Sequence, residues 1–281
     1  MKVKLTPHEG LIIWDGIYYF PLSNYPNIAP WELNKLLAFV NYEKRHNRST
    51  EFVCEDEAIL QVINQALAFP ETAQDTPLPD KMTQCTHCNQ NGCLTHFVCH
   101  TATIGSAKAI FSSGKLLSAV KAHGKTEAEL VAAAVQAGAA YEPQDPADYY
   151  RYVMFSWGNC PAGDNLVMQR EMRRKLGRLP TAHDLEHALE PGVRFYFRHK
   201  DILRHPGYEY DGYHPAKVKD ELLLHDYLYA CIIPAQNKSE LVAHIPAGLM
   251  GKVHFIPQDG LGLLGWTEKV YEFVSSLGLS D

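Results

Sequence analysis

The chain has 281 residues, of which 46% are hydrophobic and 21% charged. Such values belong to a folded globular protein and exclude extended disorder or a fibrous repeat, while the length admits one large domain or two smaller ones. Lys and Arg number 26 against 32 Asp and Glu, a formal charge of -6, so bulk gripping of a phosphate backbone is excluded and only a local basic groove remains open.

In chain order, Leu11-Ile12-Ile13-Trp14, Asp15-Gly16 and Ile17-Tyr18-Tyr19-Phe20 read as two β-prone runs around a hairpin turn. Leu33, Leu36, Leu37 and Val40 follow helical spacing from Pro30 to His46, and Pro30 suits a first helical turn. A second helix is predicted over Glu55–Leu67 with Ile59, Val62, Ile63 and Ala66 inward. Phe69–Gln84 breaks both periodicities with Pro70, Pro77 and Pro79 and reads as a linker.

Beyond it, Leu94–Cys99 is predicted as a strand and Ser106–Ser112 as a helix ended by Gly114. Thr126 and Glu129 have capping-box spacing before a helix over Leu130–Ala140. Strands are predicted at Tyr149–Trp157, Val193–Phe197, Asp226–Ile233 and Lys252–Ile256, and a closing amphipathic helix at Thr267–Ser275. These elements predict an α+β protein, with a small N-terminal hairpin-and-helix lobe over residues 1–75 and the main domain over 76–281. The lobe is too small to hold a core alone and is expected to pack on the rest. No signal-peptide run and no stretch of about 18 apolar residues is present, which predicts a cytoplasmic, non-membrane protein.

Seven cysteines are present, and Cys85, Cys88, Cys93 and Cys99 crowd one stretch. The first three have the spacing of a knuckle that turns several thiolates onto one ion, with Cys99, His96 or His87 as the fourth ligand of a structural zinc. Free thiols packed near the following strand are the competing reading. Cys54, Cys160 and Cys231 are scattered and read as buried reduced thiols.

The segment Thr95 to Ser118 reads as a strand ending in His100-Thr101, a polar turn, a short helix with Ile110 inward and a glycine opening a new extended run. This order resembles ADP-ribosyltransferase domains, above all the DarT-type branch that modifies DNA, and is also similar to the RNA 2′-phosphotransferases. Tyr152-Val153-Met154-Phe155-Ser156-Trp157 is similar to that branch's aromatic strand. Ser239-Glu240-Leu241-Val242, Ile245-Pro246 and Val253–Ile256 are similar to its ending.

The resemblance spans about residues 96–256 and implies two split, packed sheets with NAD as substrate. It gives His100 and Thr101 contact with the dinucleotide, sets Phe155 and Trp157 beside the nicotinamide end, and makes Glu240 the carboxylate that meets the positive charge on the ribose. His100 and Glu240 would be the catalytic pair, and the acceptor a macromolecule, nucleic acid among the candidates. Only Arg151 and Arg194 are candidates for the arginine that the family sets beside its glutamate. A capped short helix over Lys238–His244, with Glu240 on a solvated face, is the competing reading there. For His100 the competing roles are a structural hydrogen bond or zinc ligation.

Three further features carry other readings. His205, Asp211 and His214 lie in a tyrosine-rich loop that suits an ordered turn, a metal site or a substrate contact. Cys160, in a tight loop, would be an activated nucleophile if His100 or His214 reached it. Arg170, Arg173, Arg174, Lys175 and Arg178 form a basic run that fits a solvated helix or a nucleic-acid contact. The functional alternatives are therefore a zinc-stapled binding module without catalysis, or a metal- or Cys160-dependent hydrolase.

Overall fold

The computed structural model describes residues 1–7, 17–22, 25–70, 96–136 and 146–277. At the N-terminus, β1 (Lys2–Pro7) and β2 (Tyr18–Leu22) alternate between core and surface, burying Val3 and Leu5 from one and Tyr18, Phe20 and Leu22 from the other. α1 (Pro30–Arg45) starts at proline, with the Glu32 carboxylate accepting from the Ala29 amide at 2.8 Å. After β3 (Glu51–Val53), α2 (Glu57–Ala68) is capped by Asp56, which accepts from the Ala58 amide at 2.8 Å. β1 lies between β2 and β3 and runs parallel to both. Leu11–Gly16, and with them the expected hairpin turn, lie outside the described residues. The run after that turn forms β2, whose described partner is β1.

The main region opens with β4 (Phe97–Ala102), α3 (Ile104–Ser113), β5 (Lys115–Leu117), α4 (Ala119–His123) and α5 (Glu127–Gln136). There follow β6 (Tyr152–Trp157), α6 (Ala162–Leu176), α7 (Ala182–His187), β7 (Val193–Arg198), α8 (His199–Ile202), β8 (Tyr208–Glu209) and β9 (Ala216–Lys219). β10 (Glu221–Leu223), α9 (Leu224–Tyr227), β11 (Leu228–Pro234), α10 (Lys238–Leu241), β12 (Val253–Ile256) and α11 (Leu263–Ser276) complete it. Among the described residues no helix is long and apolar enough to cross a membrane.

Seven strands form one mixed sheet in the order β12-β11-β7-β4-β6-β9-β8, antiparallel except for β11 and β12. The fold is thus α+β. One face of the sheet packs Val98, Phe155, Phe195 and Phe197 against Ala107 and Phe111 of α3. The other packs Cys99, Tyr196 and Ile232 against Met168 and Met172 of α6 and Trp266 and Val270 of α11. β6 changes partner along its length: Tyr152–Phe155 pair with β9, and only Ser156 and Trp157 pair with β4. Past Cys99 the backbone pairing of β4 with β6 stops and the two strands diverge, within one continuous sheet rather than the two expected from the sequence.

The strands expected from Tyr149 and from Asp226 begin later than their sequence suggests. Residues 147–151 form a 3₁₀ turn before β6, and Asp226 and Tyr227 belong to α9. Two polar clusters hold the layers together. In the first, the Asp164 carboxylate at the start of α6 meets Arg194 of β7 at 2.5 Å, both side chains being out of contact with water. Arg194 also donates to Tyr196 Oη at 3.1 Å and Thr267 Oγ1 at 2.9 Å, and Asp164 accepts from the Gly192 amide at 2.8 Å. Burial is the largest single influence and works against the guanidinium charge, but the Asp164 carboxylate together with Tyr196 and Cys99 outweighs it and raises the Arg194 pKa.

The second cluster docks the N-terminal lobe. Gly212 has φ +79°, and a Cβ there would overlap the Lys35 carbonyl and Phe39 amide of α1, so the loop meets the helix backbone to backbone. Tyr213 beside it packs on Tyr18 and Phe20 at 4.8 and 5.3 Å between centroids. Arg48 bridges Glu43 and Asp148 at 2.7 Å each, and Tyr42 donates to Asp148 at 2.6 Å. The His205–Pro215 stretch is therefore, at least in its second half, an ordered docking loop.

Removing one partner of a buried ion pair leaves an uncompensated charge in a dry interior. Asp164→Asn is expected to cost about 3–5 kcal/mol of stability, read as a lowered denaturation midpoint at unchanged m-value. A loss below about 1 kcal/mol would show that the pair contributes only as much as a surface bridge.

Candidate functional site

The divergence of β4 and β6 brings the first site residue into position. His100 stands two residues from both Val98 and Ala102, shares their face of β4 and so faces the α3 side of the sheet, half-buried. Where backbone pairing stops, its ring takes over: Nδ1 lies 3.1 Å from the Met154 carbonyl of β6. A carbonyl only accepts, so Nδ1 carries the hydrogen and the neutral ring keeps its lone pair on Nε2. Burial lowers the pKa of His100; the Met154 hydrogen bond opposes this and the charge of Arg170 on α6 adds to it. The outcome is a neutral imidazole of fixed tautomer, an acceptor for a hydroxyl or amide hydrogen.

Phe155 is buried beside it, its ring 6.3 Å from the imidazole in an edge-on arrangement. Trp157, further along β6, meets the His199 ring edge-on at 5.0 Å, and His199 Nε2 lies 3.3 Å from the Pro215 carbonyl. Thr101 belongs to the opposite face of β4. There a Cβ on Gly163 would overlap the Thr101 hydroxyl, so the start of α6 closes directly on this residue. Thr101 Oγ1 is 3.8 Å from the Cys99 thiol.

Glu240 lies on α10, exposed, with Lys108 of α3 at 3.2 Å and the Asn237 amide at 3.5 Å. The hydrogen bonds from Lys108 and Asn237 lower its pKa, so the carboxylate is ionised. His100 and Glu240 are thus linked through α3, which follows β4 directly and carries Lys108, but no hydrogen bond or ion pair joins them. Arg151 pairs with Glu127, and Arg194 is consumed by Asp164, so the cation beside Glu240 is Lys108.

Cys85, Cys88 and Cys93 lie outside the described residues. Cys99 is buried among Met168, Met172 and Trp266, and burial pushes its thiol up to about 12. Among the described residues no group of three or more His, Cys, Asp and Glu side chains is arranged to hold a metal. Asp211 and His214 do meet, Oδ2 to Nδ1 at 2.8 Å, whereas His205 Nδ1 accepts from the Gly207 amide at 3.0 Å. Cys160 shows the reverse of activation: burial raises its pKa, against a weaker lowering by the Ala162 amide. Most of the basic run is answered within the chain, Arg174 by Glu171 at 2.7 Å, Lys175 by Glu190 and Arg178 by Asp184 at 2.7 Å.

Two residues absent from the sequence reading shape this region. Lys108 was hidden because a lysine on a short helix is ordinarily solvated, and Lys217 because a lysine within Ala216–Lys219 reads as an exposed strand position. Lys217 Nζ instead sits 3.9, 4.2 and 4.8 Å from the ring centroids of Tyr42, Tyr149 and Tyr152, and 3.2 Å from Asp211 Oδ2 without a well-aligned hydrogen bond. No protein-family model, curated protein or solved structure matches the chain significantly.

The lowered pKa of His100 carries a pH dependence. Below about pH 6.5 the unfolded chain takes up a proton that the folded ring refuses, so the contribution of His100 to stability is complete above that pH and falls as pH drops towards the folded value. Imidazole NMR should give a titration midpoint below 6.5 with the Nδ1–H tautomer, and His100→Gln should flatten this part of the stability profile. A midpoint at or above 6.5, or an Nε2–H tautomer, would contradict the assigned hydrogen bond.

Proposed function

We propose that the chain binds NAD and transfers its ADP-ribosyl group to a macromolecular acceptor, nucleic acid among the candidates. The observation that carries this reading is the His100 imidazole where the pairing of β4 with β6 ends, neutral and offering Nε2 as an acceptor. In this role Nε2 accepts from a ribose hydroxyl and fixes the dinucleotide, with Phe155 and Trp157 along β6 as the apolar and aromatic wall. Thr101, closed on by Gly163, sets the end of β4 rather than the ligand itself. The change of partner along β6, which leaves β4 unpaired on that side beyond Cys99, is the feature that supports an ADP-ribosyltransferase-like reading.

Departure of nicotinamide builds positive charge on the ribose, and an ionised carboxylate is the group that lowers this barrier. Glu240 is such a group. Its engagement with Lys108 means that it must exchange one cation for another as the reaction proceeds. A structural zinc, held by Cys85, Cys88 and Cys93, remains part of the proposal. Burial of the Cys99 thiol in the sheet core favours His96 or His87 over Cys99 as its fourth ligand.

Calorimetric titration with NAD and a nicotinamide-release assay test the reading. Glu240→Gln should cut release by about 10²–10³-fold with NAD affinity little changed, as expected for a group that acts on transition-state charge. His100→Ala should weaken NAD binding instead. Wild-type protein that binds no NAD, or Glu240→Gln with undiminished release, overturns the assignment. Elemental analysis should find one zinc per chain, lost in Cys85→Ser. Zinc without NAD binding would favour the binding-module reading.

A further inference from the structure

We propose that α7 carries an open site for a divalent transition-metal ion, held by the imidazoles of His183 and His187. The two residues are one helical turn apart and project from one face of the helix. Their ring centroids lie 4.5 Å apart at an interplanar angle of 56°. Imidazole nitrogens bind zinc at about 2.0–2.1 Å, so two of them on a tetrahedral ion stand about 3.4 Å apart. Rings this close reach that geometry by rotation about their own side-chain bonds. Imidazole suits zinc, copper and nickel over magnesium and calcium, which prefer oxygen.

The frame is fixed before any ion arrives. Thr181 and Asp184 cap the helix reciprocally, the Thr181 amide donating to Asp184 at 2.7 Å and the Asp184 amide to Thr181 Oγ1 at 3.2 Å. Arg178 holds the same carboxylate at 2.7 Å, which removes Asp184 from the list of ligands. Leu185 is buried on the inner face, and a Cβ on Gly262 would overlap the Glu186 carbonyl, so α7 is pinned against the start of α11. The histidines are left on the outer face, His187 being 58% exposed. Glu186, with its carboxylate 3.9 Å from His187 Nε2, adds negative charge beside the site. No third ligand from the described residues completes the set, so the remaining positions belong to water or to a donor from another molecule.

This inference is independent of NAD binding and of the cysteine stretch, and the test keeps them apart. Full-length protein, isotopically labelled and first brought to one equivalent of zinc to fill any cysteine site, is titrated with further Zn²⁺ while the imidazole resonances are followed by NMR. His183 and His187 should move together and saturate with one ion. The second imidazole binds intramolecularly, so His183→Ala and His187→Ala should each weaken this step about a hundredfold. His225→Ala, a histidine that is 88% exposed, should leave it unchanged. Each variant should keep the wild-type thermal midpoint in metal-free buffer, since both side chains are at the surface. Resonances of His183 and His187 that respond at different zinc concentrations, or a single variant that binds like the wild type, would overturn the site.

Discussion

The buried ion pair between Asp164 and Arg194 is the constraint on which the rest of the main region depends. It joins the start of α6 to β7, and through Thr267 to α11, in a space that excludes water. Two charges taken out of solvent cost several kcal/mol each unless every donor and acceptor is matched. Here the carboxylate takes the Gly192 amide as well as the guanidinium, and the guanidinium reaches two hydroxyls. Position follows from this satisfaction. With Asp164 fixed, Gly163 is pressed on Thr101, and the end of β4, with His100 on it, has one place to be.

The lobe interface is built on the same logic with different materials. Lys217 is as deeply buried as Arg194, but its charge is met by one carboxylate and the faces of three tyrosines. Burial lowers its pKa, and Asp211 opposes the shift. Asp211 itself is kept well below the usual carboxylate range: burial would raise it, and His214, Lys217 and the Tyr213 amide outweigh that. Tyr42 of α1 supplies one wall of the cage, so the N-terminal lobe completes a charge site that belongs to the main sheet. The lobe is thereby held by electrostatics and packing together.

Elements with conventional signals were legible in the sequence. Pro30 begins α1, Gly114 ends α3 with φ +68°, and Thr126 and Glu129 exchange hydrogen bonds as a capping box should. What escaped was whatever breaks the rule that polar means exposed. The inner face of α6 carries Asp164, Asn165 and Gln169, all buried, so its apolar periodicity is weak although it packs on the central strand. β9 hides Lys217 in the same way. β1 begins at the second residue and pairs in parallel with strands from both sides, a long-range choice that no local propensity records. Of the candidate site, the sequence indicated His100 and the aromatic strand beside it, because a strand end and its alternation are local. Partnerships that span the chain, Glu240 with Lys108 and Arg194 with Asp164, could be read only from the fold.

The partner of the His100 ring is a main-chain oxygen, and this alters how the site can vary. A side-chain acceptor could be lost by a single substitution, and with it the choice of which ring nitrogen faces a ligand. The Met154 carbonyl is common to every residue type that could occupy that position. The protonation pattern of the imidazole is therefore inherited from the path of β6, and it changes only if the divergence of the two strands changes.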